Sequence, residues 1–185
     1  MAKKFINPTK VVTGECRFSY ANLWEAKAMD ENSKPKYSVS LIIPKSDTKT
    51  IAKIKAAIEA AYEEGKSKLS NGKSVPSLSS IKTPLRDGDN DRPDDEAYAN
   101  SYFVNANSIT APGIVDADRQ QILTHSEIYS GIYGRASITF YAFNTKTSRG
   151  IACGLQNVQK LRDGEPLGGH SSAEEDFADD EDFLD

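Results

Sequence analysis

The segment from Tyr129 to Phe143 constrains the fold most strongly, because its side chains alternate between two characters. Successive side chains of a β-strand point to opposite faces of the sheet, so residues of one parity share a face. From residue 133 onward, the even positions carry only small or apolar side chains: Gly134, Ala136, Ile138, Phe140 and Ala142. The odd positions carry rings, hydroxyls and a guanidinium: Tyr133, Arg135, Ser137, Thr139, Tyr141 and Phe143. This pattern predicts a strand with one face in the core.

The odd face of this strand allows two interpretations. Exposed rings would suit a platform on which the bases of a single nucleic-acid strand stack, while Arg135 meets phosphate or stacks on a base. Alternatively, both faces are covered, since antiparallel strands of small barrels also bury aromatic rings and keep long amphipathic side chains at the rim. Other segments of the chain favour the platform.

The charge of the chain is divided unevenly between a body and a C-terminal tail. Eight of the 27 acidic residues lie within residues 171–185, which contain no Lys or Arg. Residues 1–170 therefore hold 19 acids against all 23 basic residues, so a body of about +4 precedes a tail of −8. The net charge of −4 hides a mildly basic domain.

Length and residue usage restrict the class of protein. The 185 residues fit one domain of about 150 residues with a tail. Because no signal peptide opens the sequence and no apolar run reaches membrane-spanning length, we expect a soluble cytoplasmic protein without membrane contact. Cys16 and Cys153 lie in strand-like patterns and are expected to be reduced core residues. His125 and His170 are far apart in sequence, so we expect no metal site and no cofactor.

Further strands and one helix are predicted around the central segment. Strand patterns cover residues 11–20, 35–44 and 98–109, and residues 149–161 pair back on the central strand as a β-hairpin. In the first strand, Val12, Cys16, Phe18 and Tyr20 share one parity. Asp47 is a good N-cap for a helix that ends at Gly65 or at the turn 70–72. Its apolar stripe is formed by Ile51, Ile54, Ile58, Ala61 and Tyr62.

An acidic loop at 87–96 raises the question of a metal. It resembles a calcium-binding loop, but its sixth position is Arg92 where glycine is needed and its twelfth is Tyr98 where a bidentate Glu is needed. We interpret it as a solvated surface loop. The alternative is a Mg²⁺-dependent nuclease that uses the carboxylates of the loop. These are Asp87, Asp89, Asp91, Asp94 and Asp95.

Four phrases of the sequence resemble a known family. They are Pro-Leu-Arg-Asp-Gly-Asp at 84–89, Tyr-Gly-Arg-Ala-Ser at 133–137, Phe-Tyr-Ala-Phe-Asn at 140–144 and Gly-Ile-Ala-Cys-Gly-Leu at 150–155. Together with the acidic tail that closes in Asp-Phe-Leu-Asp, they resemble the phage single-stranded DNA-binding proteins with an OB-fold. The resemblance covers nearly the whole chain.

The resemblance implies a mainly β (α+β) protein. Its expected architecture is an OB-fold-like, five-stranded antiparallel barrel with one main helix in residues 1–165, followed by a disordered acidic tail at 166–185. One departure concerns the order of elements, because an OB-fold usually sets three strands before its helix and only two are evident here. Either residues 11–20 bend into two strands, or the helix lies elsewhere in the order.

The resemblance also implies that the tail recruits phage or host replication and recombination proteins and competes with DNA for the basic groove. The matching residues are Asp176, Asp179, Asp180, Glu181, Asp182 and Phe183. We expect a non-enzymatic protein of the host-cell cytoplasm that coats single-stranded DNA, and we regard a homodimer as plausible. Besides the nuclease, a protein-interaction module remains an alternative function.

Candidate contacts follow from the chemistry of single-strand binding, in which rings stack on bases and cations meet phosphates. The predicted stacking residues are Tyr133, Tyr141, Phe143 and Phe103, with Trp24 and Tyr37 in addition. Trp24 is the only Trp and is either a lid on the core or an exposed stacking group, of which the core position is favoured. The predicted phosphate contacts are Arg135, Lys146, Arg149, Lys36 and Arg86.

Overall fold

The structure is a computed structural model that describes residues 7–28, 30–70 and 72–167. The predicted tail contacts at 176–183 lie outside these residues. Within them, the strands are β1 (Lys10–Val12), β2 (Cys16–Lys27), β3 (Lys36–Pro44), β4 (Leu85–Asp87), β5 (Ser101–Ser108), β6 (Gly113–Val115), β7 (Tyr133–Asn144) and β8 (Arg149–Arg162). The helices are α1 (Thr48–Glu64), α2 (Lys66–Ser70) and α3 (Gly88–Asp91), with 3₁₀ turns at Leu78–Ser80, Glu96–Tyr98 and His125–Glu127.

Five strands close into a barrel. β2 pairs with β3, β3 with β5, β8 with β7 and β7 with β2, all antiparallel. The ring is completed by a parallel contact between β5 and β8, at Asn107 and Gly154. The OB-fold-like barrel is therefore confirmed, although one of its pairings is parallel where an antiparallel barrel was predicted. β1, β4 and β6 extend the sheet beyond the barrel by pairing with β7, β5 and β8.

The first barrel strand is divided into β1 and β2. Both explanations offered for the order of elements therefore apply, since residues 11–20 contribute to two strands and the helix follows the second barrel strand. β1 and β2 lie along the same edge of β7, with Lys10 opposite Thr139 and Cys16 opposite Gly134. The chain turns between them at Gly14, whose N–H donates to Oγ1 of Thr50 at 3.0 Å. The two pieces occupy one barrel position, so α1 follows the second barrel strand and precedes the third.

The main helix begins and ends as its sequence predicts. Oδ1 of Asp47 accepts a hydrogen bond from the Thr50 N–H at 3.1 Å, which satisfies one of the unpaired donors of the first turn. The last turn closes at Gly65, whose N–H donates to the Ala61 carbonyl at 3.0 Å. A side chain at Gly65 would overlap the Cβ of Ala142 on β7. The close approach of helix and strand therefore requires glycine.

The core lies inside the barrel, and the even face of β7 points into it. Gly134, Ala136, Ile138, Phe140 and Ala142 are all buried, which confirms the predicted orientation. Across the barrel they meet side chains of the other strands and of α1: Phe18, Leu41, Ile43, Ile54 and Val104. The prediction for the first strand was wrong at Val12, which is 45% exposed while Val11 is buried, because β1 and β2 are separate pieces with independent parity.

Both cysteines are free, buried thiols, as expected. Burial raises the pKa of the Cys16 thiol to about 12, with a partly opposing effect from the Thr13 hydroxyl, and burial also raises the pKa of Cys153. Neither thiol has appreciable thiolate character at neutral pH, so both behave as small core residues. Of the helices within the described residues, none is long and apolar enough to cross a membrane.

The last described residues, 163–167, run back across the outside of the barrel, and we call them the C-terminal strap. The Leu167 N–H donates to the Ser130 carbonyl at 2.8 Å, and Nη2 of Arg17 donates to the Glu165 carbonyl at 2.6 Å. Leu167 packs against a second apolar cluster on the outer side of β3 and β5, formed by Ile42, Tyr98 and Phe103. The domain boundary predicted at 165/166 falls within this strap and remains a prediction.

We predict that Phe140→Ala lowers the free energy of unfolding by about 3–5 kcal/mol, because it leaves a cavity in the barrel core. Phe140 is 1% exposed, whereas Ile109 is 71% exposed, so Ile109→Ala serves as a control that should change stability by less than about 0.5 kcal/mol. Equilibrium unfolding in urea measures both. Equal losses for the two variants would contradict the assignment of Phe140 to the core.

Candidate nucleic-acid interface

A β-bulge in β2 turns Tyr20 outward. Ser19 lies opposite Ser40 and Asn22 lies opposite Ser38, so β2 uses one residue more than β3 over this stretch. Tyr20 has a φ of +47°, a left-handed conformation that is uncommon for a bulky residue, and it is 58% exposed. The predicted shared parity of Tyr20 with Cys16 and Phe18 was therefore wrong at this position. Bulges commonly re-aim a side chain next to a functional site.

Arg92 lies against the rings on this side of the barrel. Its guanidinium carbon is 5.4 Å from the centroid of Tyr20, 5.5 Å from that of Tyr98 and 5.7 Å from that of Phe103. At these distances a guanidinium is attracted to the electron-rich face of a ring. The segment between β4 and β5 carries both Arg92 and Tyr98, and the Tyr98 hydroxyl contacts Oγ of Ser40 at 3.0 Å. This segment thus positions a cation beside the exposed Tyr20.

The bulge and Arg92 border a groove on the outer side of β2, β3 and β5, which we call the polar groove. It encloses about 470 Å³. Within the described part of the chain its lining contains two cations and several amide and hydroxyl groups but neither Asp nor Glu. The lining residues are Tyr20, Asn22, Lys27, Ala28, Ser38, Val39, Ser40, Arg92, Asn105, Ala106 and Asn107. Such a surface offers an open ring, hydrogen-bonding groups and positive charge together.

The acidic loop is held by partners within the protein. Nζ of Lys45 lies 3.0 Å from a carboxylate oxygen of Asp87 and 2.8 Å from Oδ2 of Asp89. Hydrogen bonds to Asp89 and Asp87 raise the pKa of Lys45, and the bond from Lys45 lowers the pKa of Asp89. Asp91 pairs with Arg86 at 3.5 Å, and Asp95 accepts from the Ala97 N–H at 3.1 Å.

These contacts give the loop a structural role. Residues 7–28, 30–70 and 72–167 contain no group of three or more His, Cys, Asp or Glu side chains placed to hold a metal ion. Because Asp87, Asp89, Asp91 and Asp95 each have a partner in the protein, the geometry does not favour the nuclease alternative. The loop instead fixes the segment that carries Arg92 beside the polar groove.

The predicted platform on β7 faces outward but lies on another part of the barrel wall. Tyr141 is 46% exposed, and Phe143 is half-buried. Nε of Arg135 donates to the Thr13 carbonyl at 2.9 Å. The Tyr133 ring is near two guanidinium groups, with its centroid 3.8 Å from the guanidinium carbon of Arg162 and 5.4 Å from that of Arg17. The predicted platform on β7 and the polar groove are therefore two different surfaces of the barrel.

Two predicted stacking residues have partners in the protein. Phe103 is only 2% exposed and packs edge-on against Tyr98 with centroids 4.9 Å apart, so its ring is closed to a base and that prediction was wrong for this structure. The outer face of β5 is covered there by the segment that contains Tyr98. Trp24 is half-buried and stacks on His125 at 4.3 Å, while its Nε1 donates to the His125 carbonyl at 3.0 Å.

The remaining predicted residues are dispersed. Lys36 is exposed and lies opposite Lys27, a lining residue of the polar groove, and the half-buried Tyr37 follows it. Lys146 is exposed in the β7–β8 turn, whereas Nη1 of Arg149 donates to the Leu69 carbonyl at 3.1 Å and ties the hairpin to α2. Arg86 is exposed and paired with Asp91.

Sequence reasoning missed most of the polar groove. Asn105 and Asn107 alternate with the buried Val104 and Ala106, a pattern that marks polar side chains on the outer face of a core strand. Lys27 belongs to β2, which extends beyond the strand predicted at residues 11–20. The exposure of Tyr20 depends on the bulge, for which residues 11–20 give no sequence signal. Arg92 was considered only as a defect in a calcium loop.

The C-terminal strap begins at a compact cluster at the end of β8. Burial lowers the pKa of Lys160, but hydrogen bonds to Asp163 at 2.6 Å and Glu127 at 3.0 Å outweigh it, so the pKa is raised. The Tyr129 hydroxyl donates to Oδ1 of Asp163 at 2.9 Å. From here the strap reaches the cluster that contains Tyr98 and Phe103, the rings that Arg92 also contacts. The end of the strap at Leu167 therefore lies beside rings that contact Arg92, a lining residue of the polar groove.

Comparisons with known proteins agree on one family. Residues 9–184 match the model of a family described as Enterobacter phage Enc34, ssDNA-binding protein. A relative from Acyrthosiphon pisum secondary endosymbiont phage 1, protein p50, is 29% identical over 174 residues, which cover 90% of this chain and 91% of the relative.

Solved structures show the same likeness. The single-stranded DNA-binding protein from bacteriophage Enc34 in complex with ssDNA has a TM-score of 0.72 and 26% identity, covering 86% of this chain and 90% of that one. The T7 single-stranded DNA-binding protein gp2.5 shares the fold, with a TM-score of 0.60 and 15% identity over 92% of this chain and 93% of its own. Because the family match extends over nearly the whole sequence and confirms the predicted resemblance to phage single-stranded DNA-binding proteins, this chain belongs to the Enc34 family of phage single-stranded DNA-binding proteins.

Proposed function

We propose that this protein binds single-stranded DNA with little sequence preference during phage DNA replication, recombination or repair, in the cytoplasm of the host cell. The observation that carries the proposal is the pairing of the exposed Tyr20 with Arg92 at the edge of a groove that lacks acidic lining residues. This groove lies on the face of the second and third barrel strands, where OB-folds bind oligonucleotides.

The groove can bind a strand through three kinds of contact. A base stacks on the exposed Tyr20 ring, a contact worth about 1–3 kcal/mol and tolerant of base identity. Arg92 and Lys27, with Lys36 opposite Lys27, attract phosphates. The side chains of Asn105 and Asn107 can donate and accept hydrogen bonds with base edges or sugars. None of these contacts breaks a bond, so we infer a binding protein that needs no cofactor and catalyses no reaction.

The same contacts favour a single strand over a duplex. In a duplex the bases stack on one another and pair across the axis, so their faces are closed to a protein ring. Unstacked bases can reach Tyr20 without that cost. A protein-interaction module, the remaining alternative function, would bind no oligonucleotide even at low salt.

The acidic tail supports a regulatory proposal. We infer that residues 171–185 compete with DNA for the polar groove and recruit replication or recombination proteins through Asp176, Asp179, Asp180, Glu181, Asp182 and Phe183. The strap supports this, because Leu167 packs against the cluster whose Tyr98 and Phe103 rings contact Arg92. A tether of so few residues gives the tail an effective concentration in the millimolar range at the groove. Homodimer formation stays a prediction that light scattering can check.

We predict that Tyr20→Asn weakens binding of a labelled single-stranded oligonucleotide roughly 5- to 150-fold, the loss of one stacked base. Asn tolerates the positive φ at this position, so the bulge should persist without the ring. Fluorescence anisotropy measures the affinity. Leu123→Asn removes a side chain that is 74% exposed and lies outside the groove lining, and it should bind like the unaltered protein. Equal affinities of all three proteins would refute the groove as the site.

The cations of the groove predict a defined salt dependence. Each phosphate contact with a single strand contributes about −0.7 to the slope of log K against log salt concentration. We therefore expect Lys27→Gln to make the slope shallower by about 0.7, whereas Lys49→Gln, an exposed change in the first turn of α1, should leave it unchanged. Identical slopes would show that Lys27 does not contact phosphate.

Removal of the tail charge should tighten DNA binding. We predict that replacing the eight acids of residues 171–185 by Asn and Gln raises affinity roughly tenfold at low salt, about 1.4 kcal/mol, because the intramolecular competitor is lost. The gain should shrink as salt screens the competing charges. Deletion of residues 171–185 should have the same effect as neutralisation. If neither change alters the affinity at low salt, the tail does not compete with DNA for the groove.

A further inference from the structure

The outer side of β7 is not used by the polar groove, yet it has the chemistry of a binding surface. It presents Tyr141, Thr139, Ser137 and Arg135 in a row, and the neighbouring β1 adds Lys10 opposite Thr139. We call this surface the β7 face. The polar groove is lined from β2, β3, β5 and the segment of Arg92, so the two surfaces share no lining residue.

Tyr141 is presented as a flat ring. Its partner strand carries Gly154, and a Cβ placed there would lie 3.5 Å from Cε1 of Tyr141. The ring therefore lies over this glycine, and a Cβ there would only reach ordinary van der Waals contact with it. With 46% of the residue exposed, part of the ring remains open to solvent. An open ring on a rigid strand is the geometry that base stacking needs.

Further cations lie along β7 toward Arg135, in a shallow cleft of about 320 Å³ lined by Val12, Arg119, Arg135, Ser137, Asn157 and Gln159. Arg135 is oriented by its Nε bond to the Thr13 carbonyl, and its terminal amino groups make no hydrogen bond within the described residues. In the same loop as Arg119, the Asp116 carboxylate accepts from the N–H groups of Asp118 and Gln120. Within the described part of the chain, the cleft lining contains two guanidinium groups and neither Asp nor Glu.

Thr139 supplies an independent sign of a missing partner. Its hydroxyl oxygen is buried and forms no hydrogen bond with any of the described residues. Buried hydroxyls nearly always have a partner, because an unsatisfied one costs about 1–3 kcal/mol. The residue lies between Lys10 on β1 and Gly154 on β8. The structure therefore leaves a hydrogen-bonding group without a described partner beneath the β7 face.

We propose that the β7 face is a second binding track for single-stranded DNA, engaged by strands that are too long for the polar groove alone. The proposal rests on the proposed function of the groove. Between the two surfaces, the outer sides of β3, β2 and β7 form a cleft lined by Ile42, Arg17, Tyr133 and Arg162 together with Glu15 and Glu96. Nη2 of Arg162 pairs with Oε1 of Glu15 at 2.7 Å, so a strand that crosses this cleft meets charges of both signs before it reaches Arg135.

The composition of the β7 face favours nucleic acid over a protein partner. Protein interfaces have a contiguous apolar centre with few charges. Here the exposed large apolar groups are Val12 and Tyr141, and they are separated by the hydroxyl groups of Ser137 and Thr139 and by Lys10. An open ring with cations on a shallow surface is instead typical of sequence-tolerant single-strand binding.

The experiment compares oligothymidylates of two lengths, using the full chain. A strand of about 6 nucleotides fits one OB-fold site, whereas one of about 25 nucleotides exceeds it. We expect the double variant Tyr141→Ser, Lys10→Gln to bind the long strand roughly tenfold more weakly and the short strand within about twofold of the unaltered protein, since only the long strand reaches the β7 face. Tyr20→Asn should weaken both.

Arg119→Gln provides a second variant on an exposed loop, and it should also weaken only the long complex. Urea unfolding of each variant checks that the fold is retained. Equal losses on both lengths, or no loss on either, would overturn the second track. If the unaltered protein bound neither length, the proposed function itself would be wrong. This result differs from one in which only the second track fails, because the short strand would then still bind.

Discussion

The packing of the even face of β7 into the barrel is the constraint on which the other elements depend. β8 pairs with β7 along its whole length, β1 and β2 share its other edge, and Gly65 brings α1 against Ala142. Because the side-chain period of a strand is two, burial of one face also fixes what the other face presents. Tyr141 and Arg135 point outward for the same reason that Phe140 and Ala136 are buried.

The candidate site arises where regular strand geometry is interrupted. The extra residue in β2 exposes Tyr20, and the irregular segment between β4 and β5 carries Arg92 to it. Lys45 and its two carboxylate partners hold that segment, so charges that resemble a metal loop instead support a cation beside a ring. Regular pairing thus supplies the barrel, and the departures from it supply the groove.

Patterns of period two and 3.6 predicted much of the fold, namely the faces of β7, the capped helix after Asp47, the buried cysteines and the β7–β8 hairpin. Most of the polar groove could not be predicted from the sequence. The bulge in β2 changes the face on which Tyr20 lies, and residues 11–20 contain no signal for it. Phe103 was misassigned for a related reason. Alternation shows that its side chain is on the other face of β5 from Val104, but it does not show that Tyr98 covers that face. The parallel closure of β5 on β8 depends on contacts between distant segments.

The C-terminal strap has a practical consequence for shortening the chain. Composition places the end of the folded body at residue 165, yet Leu167 packs on Ile42, Tyr98 and Phe103, and its N–H bonds the Ser130 carbonyl. A truncation at 165 would uncover an apolar surface next to the groove and leave that carbonyl without its partner. A shortened protein that ends beyond Leu167 keeps the outer cluster closed, so the two cuts yield proteins with different tendencies to aggregate.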